Sequence, residues 1–78
     1  LKQIPDLYDE IYITPYEAAA GVKKTINIAW GFHKRFYNVT IPPGVKDKMI
    51  LKLKGIGKVM EDGQPGDLLL KVRIQQPW

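Results

Sequence analysis

Period-two alternation of apolar side chains does most to limit what this chain can fold into. At its far end, residues 67–75 place Leu68, Leu70, Val72 and Ile74 on one side of an extended segment. Residues 22–30 do the same with Val22, Lys24, Ile26, Ile28 and Trp30 against Lys23, Thr25, Asn27 and Ala29. An extended backbone throws successive side chains to opposite faces, so such runs are strands with one face covered. Near the start, Leu7, Ile11 and Ile13 share a face that Asp9 interrupts, with Tyr8, Glu10 and Tyr12 opposite. A further strand is expected over residues 49–54, with Met49, Leu51 and Leu53 aligned.

The breaks between these runs carry their own signals. In Thr14-Pro15-Tyr16-Glu17, followed by three alanines and Gly21, the Thr hydroxyl can cap a helix, Pro suits its first position, and Glu17 completes a capping box. The three alanines favour helix and Gly21 permits a left-handed stop, so one or two turns of helix are expected. Gly31-Phe32-His33-Lys34 reads as a hairpin connection into residues 35–41. Pro42-Pro43-Gly44 ends that strand, because proline has no amide to give a ladder. The sum is a mainly β chain: a small, mostly antiparallel β-sandwich of about five strands, with one short helix after the first.

Seventy-eight residues make a single domain, 1–78, with a modest core. The absence of an initiator Met suggests a piece of a longer protein. With no cysteine, no disulfide or thiolate metal site can support the core, which suits a reducing, cytoplasmic setting. No apolar run approaches a membrane span, and the N-terminus lacks the order of a secretion signal.

Charge is unevenly distributed. Residues 1–20 sum to −3, residues 21–60 to +8 and residues 61–78 to −1. Lys46, Lys48, Lys52, Lys54 and Lys58 fall within one stretch that contains Gly55-Ile56-Gly57-Lys58. A phosphate loop needs four residues between its glycines, then Lys and a hydroxyl residue, and this segment has neither. A turn between strands accounts for the glycines. The lysines can track phosphates, so a basic β domain binding single-stranded nucleic acid through residues 46–58 is one reading, with Trp30, Phe32, Phe36 and Tyr37 as possible stacking partners. Alternation alone is the other, since Lys48, Lys52 and Lys54 lie opposite Met49, Leu51 and Leu53.

Catalytic and metal chemistry find little footing. His33 is the single histidine, without a cysteine or second imidazole to share a metal, so no cofactor or metal is expected. Asp9, Glu10, Asp62 and Asp67 form no pair that the sequence places together. Asn38-Val39-Thr40 fits a glycosylation acceptor but lies inside a strand. An enzyme is not expected. The apolar excess points instead to binding: if Ile11, Ile13, Ile26 and Ile28 are only partly covered, the first two strands leave an apolar edge that can take an extended peptide by strand addition.

The segments DLYDEIYITPYEAAAG, VTIPPGV, LKLKGIG and GDLLLKVRI, in that order, resemble the C-terminal substrate-binding domain of the DnaJ (J-domain) co-chaperones, from Asp6 to about Pro77. The resemblance implies one of two similar β-sandwich subdomains that bind non-native client polypeptides for delivery to a DnaK-type chaperone. It places a peptide groove between the first two strands, implicating Ile11, Ile26 and Ile28, with Ile13, Tyr37 and Leu70 as neighbours. Lys24 matches a position that in some members holds the partner chaperone's acidic tail, whereas Asn27 falls where some carry another lysine. The chain has no His-Pro-Asp motif of a J-domain, and the link from Trp30 to Arg35 is too short for the cysteine-rich zinc module of some members. No dimerisation helix follows Trp78, so a monomer is expected. AWGFHKRF departs from the family's usual short turn, and its aromatics either cover core or add a contact. In this family, basic residues recur in the strand-and-glycine-turn segment of Lys52, Lys54 and Lys58 without a phosphate to hold, which favours their reading as a solvated face.

Overall fold

The computed structural model describes residues 6–59 and 63–76. Asp62, one of the candidate carboxylates, lies outside the described residues, as do the extreme N-terminal residues and Pro77 and Trp78. The order is β1 (Leu7–Ile13), α1 (Pro15–Ala20), β2 (Val22–Trp30), β3 (His33–Ile41), β4 (Ile50–Leu53) and β5 (Leu68–Ile74). Among the described residues, five strands lie in two sheets, β1-β5-β4 and β2-β3.

The sheets are antiparallel except at one pairing. β1 runs parallel to β5, with Leu7 opposite Leu68 and Ile13 opposite Ile74. This contact joins the two ends of the chain, and nothing in local alternation specifies such a partner. The β2–β3 hairpin is tighter than the four-residue connection expected. Its turn is Gly31-Phe32 alone, and Trp30 already pairs with His33. Gly31 has a φ of +55°, the left-handed conformation that two-residue hairpin turns demand. β4 is also shorter than expected: Met49 stays outside it, and Lys48 takes a φ of +70° in the turn before it.

Helix α1 has the expected cap. The Thr14 hydroxyl accepts the Glu17 amide at 3.1 Å, and Glu17 accepts the Thr14 amide at 2.9 Å. The helix stops at Gly21, whose φ is +82°. A β-carbon there would come within 3.2 Å of Ile41 O and 3.1 Å of the Pro43 ring, so only glycine fits between helix end and Pro-Pro segment. α1 thereby carries the chain from one sheet to the other.

The core lies between the sheets. β1 gives Ile11 and Ile13, β2 gives Ile26 and Ile28, β3 gives Val39 and Ile41, and β5 gives Leu68, Leu70 and Val72, joined by Ala18 and Val45. β5, paired on both sides, is the most deeply covered, with Leu70 and Val72 at 0% exposure.

The glycine-lysine segment is structural. The Gly55 amide donates to Asp67 Oδ1 at 3.0 Å, and its φ is +76°. A β-carbon on Gly57 would lie 2.8 Å from the Asp67 nitrogen, closer than atoms can pack. Lys52 Nζ stands 3.4 Å from Asp67 Oδ2, so one lysine of the run has a carboxylate partner. No helix among the described residues is long and apolar enough to cross a membrane.

Candidate functional site

The first two strands lie in different sheets, and each has one side without a strand partner. Among the described residues, β1 is an edge of the three-stranded sheet and β2 pairs only with β3. α1 connects them. Each strand therefore keeps a row of backbone amides and carbonyls without a strand partner among the described residues, the type of edge that accepts another strand.

The two edges differ in chemistry. On β1, Asp9 sits on the otherwise apolar face, is exposed, and accepts the Glu10 amide at 2.8 Å. A charge inside a strand's apolar row, occupying a backbone donor, discourages a further strand. β2 has no carboxylate along its nine residues. Its β-branched inner row, Ile26 and Ile28, continues into the half-buried Trp30 and faces the half-buried Tyr37.

The side chains expected to line a groove are placed unequally. Ile13, Ile28 and Leu70 are fully enclosed core residues, at 2%, 3% and 0% exposure. Ile11 and Ile26, at 8% and 9%, keep the most surface in the buried cluster and mark its rim on β1 and β2. Alternation identified the apolar face correctly but carried no information on how completely the opposite sheet covers it.

Lys24 is engaged rather than open. Its Nζ lies 2.9 Å from Glu17 Oε2, linking β2 to the helix cap. The Thr14 amide and then the Lys24 ammonium hold the Glu17 carboxyl below its usual range. Two other carboxylates are lowered chiefly by backbone amides: Asp47 by the Ile74 amide at 2.8 Å, Asp67 by that of Gly55. Each fastens a loop to the β1-β5-β4 sheet. Arg73 bridges Glu10 at 3.2 Å and Asp47 at 3.6 Å, and Glu10 raises its pKa further.

The AWGFHKRF segment divides between the two roles open to it. Trp30 packs on the core and stacks on His33 at 5.0 Å, with the Arg35 guanidinium over its ring. Phe32 and Phe36 are exposed. A second surface, which the sequence reading left without a role, is a hollow of about 450 Å³ on the outer face of the three-stranded sheet, lined by Tyr8, Asp9, Glu10, Ile50, Leu69 and Lys71. The alternation that set Tyr8 and Glu10 opposite the core was its signal. No group of acids and His33 that could hold a metal ion is found among the described residues.

The sequence model described as the DnaJ C terminal domain matches residues 6–78. Over 74 residues the chain is 38% identical to a protein of Coxiella burnetii named Curved DNA-binding protein, covering 92% of this chain and 22% of that protein. Over 69 residues it is 36% identical to Chaperone protein DnaJ 2 of Thermus thermophilus, covering 88% of this chain and 22% of that protein. The chain thus spans about a fifth of the length of these curated relatives.

Proposed function

The chain belongs to the DnaJ C-terminal domain family, with the chaperone-related role that this membership carries, and from that premise we propose that it binds extended apolar segments of non-native polypeptides along the free edge of β2. The single observation that carries the reading is the contrast between the two edges. β2 offers a nine-residue edge strand without a carboxylate, while the β1 edge is guarded by Asp9. The peptide's backbone adds as a strand to β2, and its side chains rest on Ile11 and Ile26, with Ile13, Ile28, Tyr37 and Leu70 supporting that surface from beneath. Main-chain hydrogen bonds supply affinity in this mode and side-chain contacts supply preference. Affinity is weak, in the micromolar to millimolar range, corresponding to roughly 4–8 kcal/mol.

The module performs no catalysis itself in this reading and acts in the cytoplasm. It passes clients to a DnaK-type ATPase chaperone. An acidic tail of that partner would reach Lys24 by displacing Glu17 from the ammonium.

The test is affinity for an extended apolar heptapeptide, compared with two versions N-methylated at alternate amides, one set for each edge of the peptide. Losing about three backbone bonds at 0.5–1.5 kcal/mol each should weaken one of the two versions more than tenfold. Equal binding of all three peptides contradicts strand addition.

The name carried by the Coxiella relatives brings in nucleic acid as a second reading. Residues 46–58, the expected site for it, form a poor platform. They contain no aromatic residue, and Lys52 is held by Asp67.

A further inference from the structure

We propose that the outer face of the β2–β3 ribbon, away from the core and from residues 46–58, binds single-stranded nucleic acid, with bases stacking on Phe36 and Phe32 and phosphates met by Lys23 and Lys34. The inference stands on this surface alone and is independent of the peptide edge.

Register defines the face. Lys23 pairs with Thr40, Thr25 with Asn38, Asn27 with Phe36, and Ala29 with Lys34. All eight side chains are exposed, while the alternate residues turn inward except His33 and Arg35 near the hairpin tip, which are also exposed. The face is therefore solvated along most of the ribbon, a length of about 27 Å for nine residues at the usual rise.

Its charge has one sign. No Asp or Glu occurs from residue 22 to residue 46, whereas the outer face of the other sheet carries Glu10 beside Lys71 and Arg73. A face without carboxylates is complementary to a polyanion. Arg35 is not part of it, because it turns to the Trp30 ring and donates to the Ile56 carbonyl at 3.3 Å.

The aromatic rings decide which polyanion. Phe36 is 67% exposed on the face and Phe32 fully exposed at its tip, and neither packs on the core. Lys34 Nζ lies over one face of the Phe36 ring, 5.9 Å from its centroid, so a cation able to meet a phosphate stands next to the exposed ring. Exposed rings among lysines match the stacking platforms of single-strand binders. Paired bases inside a duplex present no π-face to such rings, which selects the single strand. Thr25, Asn27 and Asn38 add hydrogen-bonding groups between the charges. A lipid surface would be met by the tip alone, and the polar middle of the face would then have no ligand.

The experiment is fluorescence anisotropy of the 78-residue chain with a labelled 20-nucleotide oligo-dT, a 20-base-pair duplex, and vesicles containing anionic phosphatidylserine. The single strand should bind best. Phe36→Ala should weaken it by roughly 5- to 150-fold, the range for loss of one base stack. Lys34→Gln should flatten the dependence of log affinity on log salt by about 0.7. Lys52→Gln should leave both unchanged. If Phe36→Ala lowers the thermal midpoint, Phe36→Leu keeps the bulk without the ring and should show the same loss. Unchanged binding by the Phe36 variants overturns the proposal, as does tighter binding to the duplex or to vesicles, or a loss seen only with Lys52→Gln.

Discussion

β5 and β2 are both apolar strands of the same core, yet they hold opposite positions in it. β5 lies between β1 and β4, with every backbone direction satisfied and Leu70 and Val72 sealed from water. β2 has a single partner, and its rim residue Ile26 keeps a margin of exposed surface. A strand paired on both sides can only stabilise. A strand paired on one side keeps unmet hydrogen-bonding capacity, and the same apolar residues that anchor it can receive a ligand. On the proposed function, stability and recognition fall to different strands of this small domain.

The largest expected effect tests that division directly. Leu70→Ala removes a side chain with no exposed surface and should destabilise the domain by about 2–5 kcal/mol, as read by urea denaturation. Ile26→Ala, a truncation of the same size at the rim, should cost less, about 2 kcal/mol at the lower end of that range. If Ile26→Ala proved as damaging as Leu70→Ala, β2 would be as much a core strand as β5 and the division would fail.

A smaller effect concerns the carboxylates around the two sheets. Glu17, Asp47 and Asp67 have folded-state pKa values below their reference values of 4.5, 3.8 and 3.8. A group with a depressed folded pKa contributes stability above its unfolded pKa and loses it as pH falls through the folded value. The thermal midpoint should therefore hold from pH 7 to about pH 5 and fall below about pH 4. Two of the three fasten the β1-β5-β4 sheet and one caps the helix leading to β2, so amides near Ile74 and Gly55 should lose protection in acid together with those of α1. A midpoint unchanged down to pH 2 would remove these groups from the explanation of stability.

Local chemistry made much of the fold legible. The Thr14–Glu17 box, Pro15 and Gly21 specify α1 almost residue by residue, and alternation bounds β2 at Val22 and Trp30. What was not legible depends on distant contacts. The parallel pairing of Leu7 with Leu68 joins residues that share no local signal. The turn at Gly55 and Gly57 was readable, but not that the Asp67 backbone packs against Gly57. The site was readable only to the same depth. Ile11, Ile26 and Ile28 announce an apolar face, but whether water reaches it depends on how the opposite sheet is placed. Phe32 and Phe36 were visible as aromatics, and only the two-residue turn and the register showed that Trp30 goes inward while they go out.

The most direct test of the β2 edge is amide hydrogen exchange on the 78-residue chain, with and without a saturating extended apolar peptide. In the free domain, the β2 amides that do not bond to β3 should exchange quickly, while those of β5 are protected throughout. Peptide should slow those β2 amides and leave the edge of β1 unchanged. Protection appearing on β1 instead, or no change on β2 at peptide saturation, would contradict the assignment of β2 as the receiving strand.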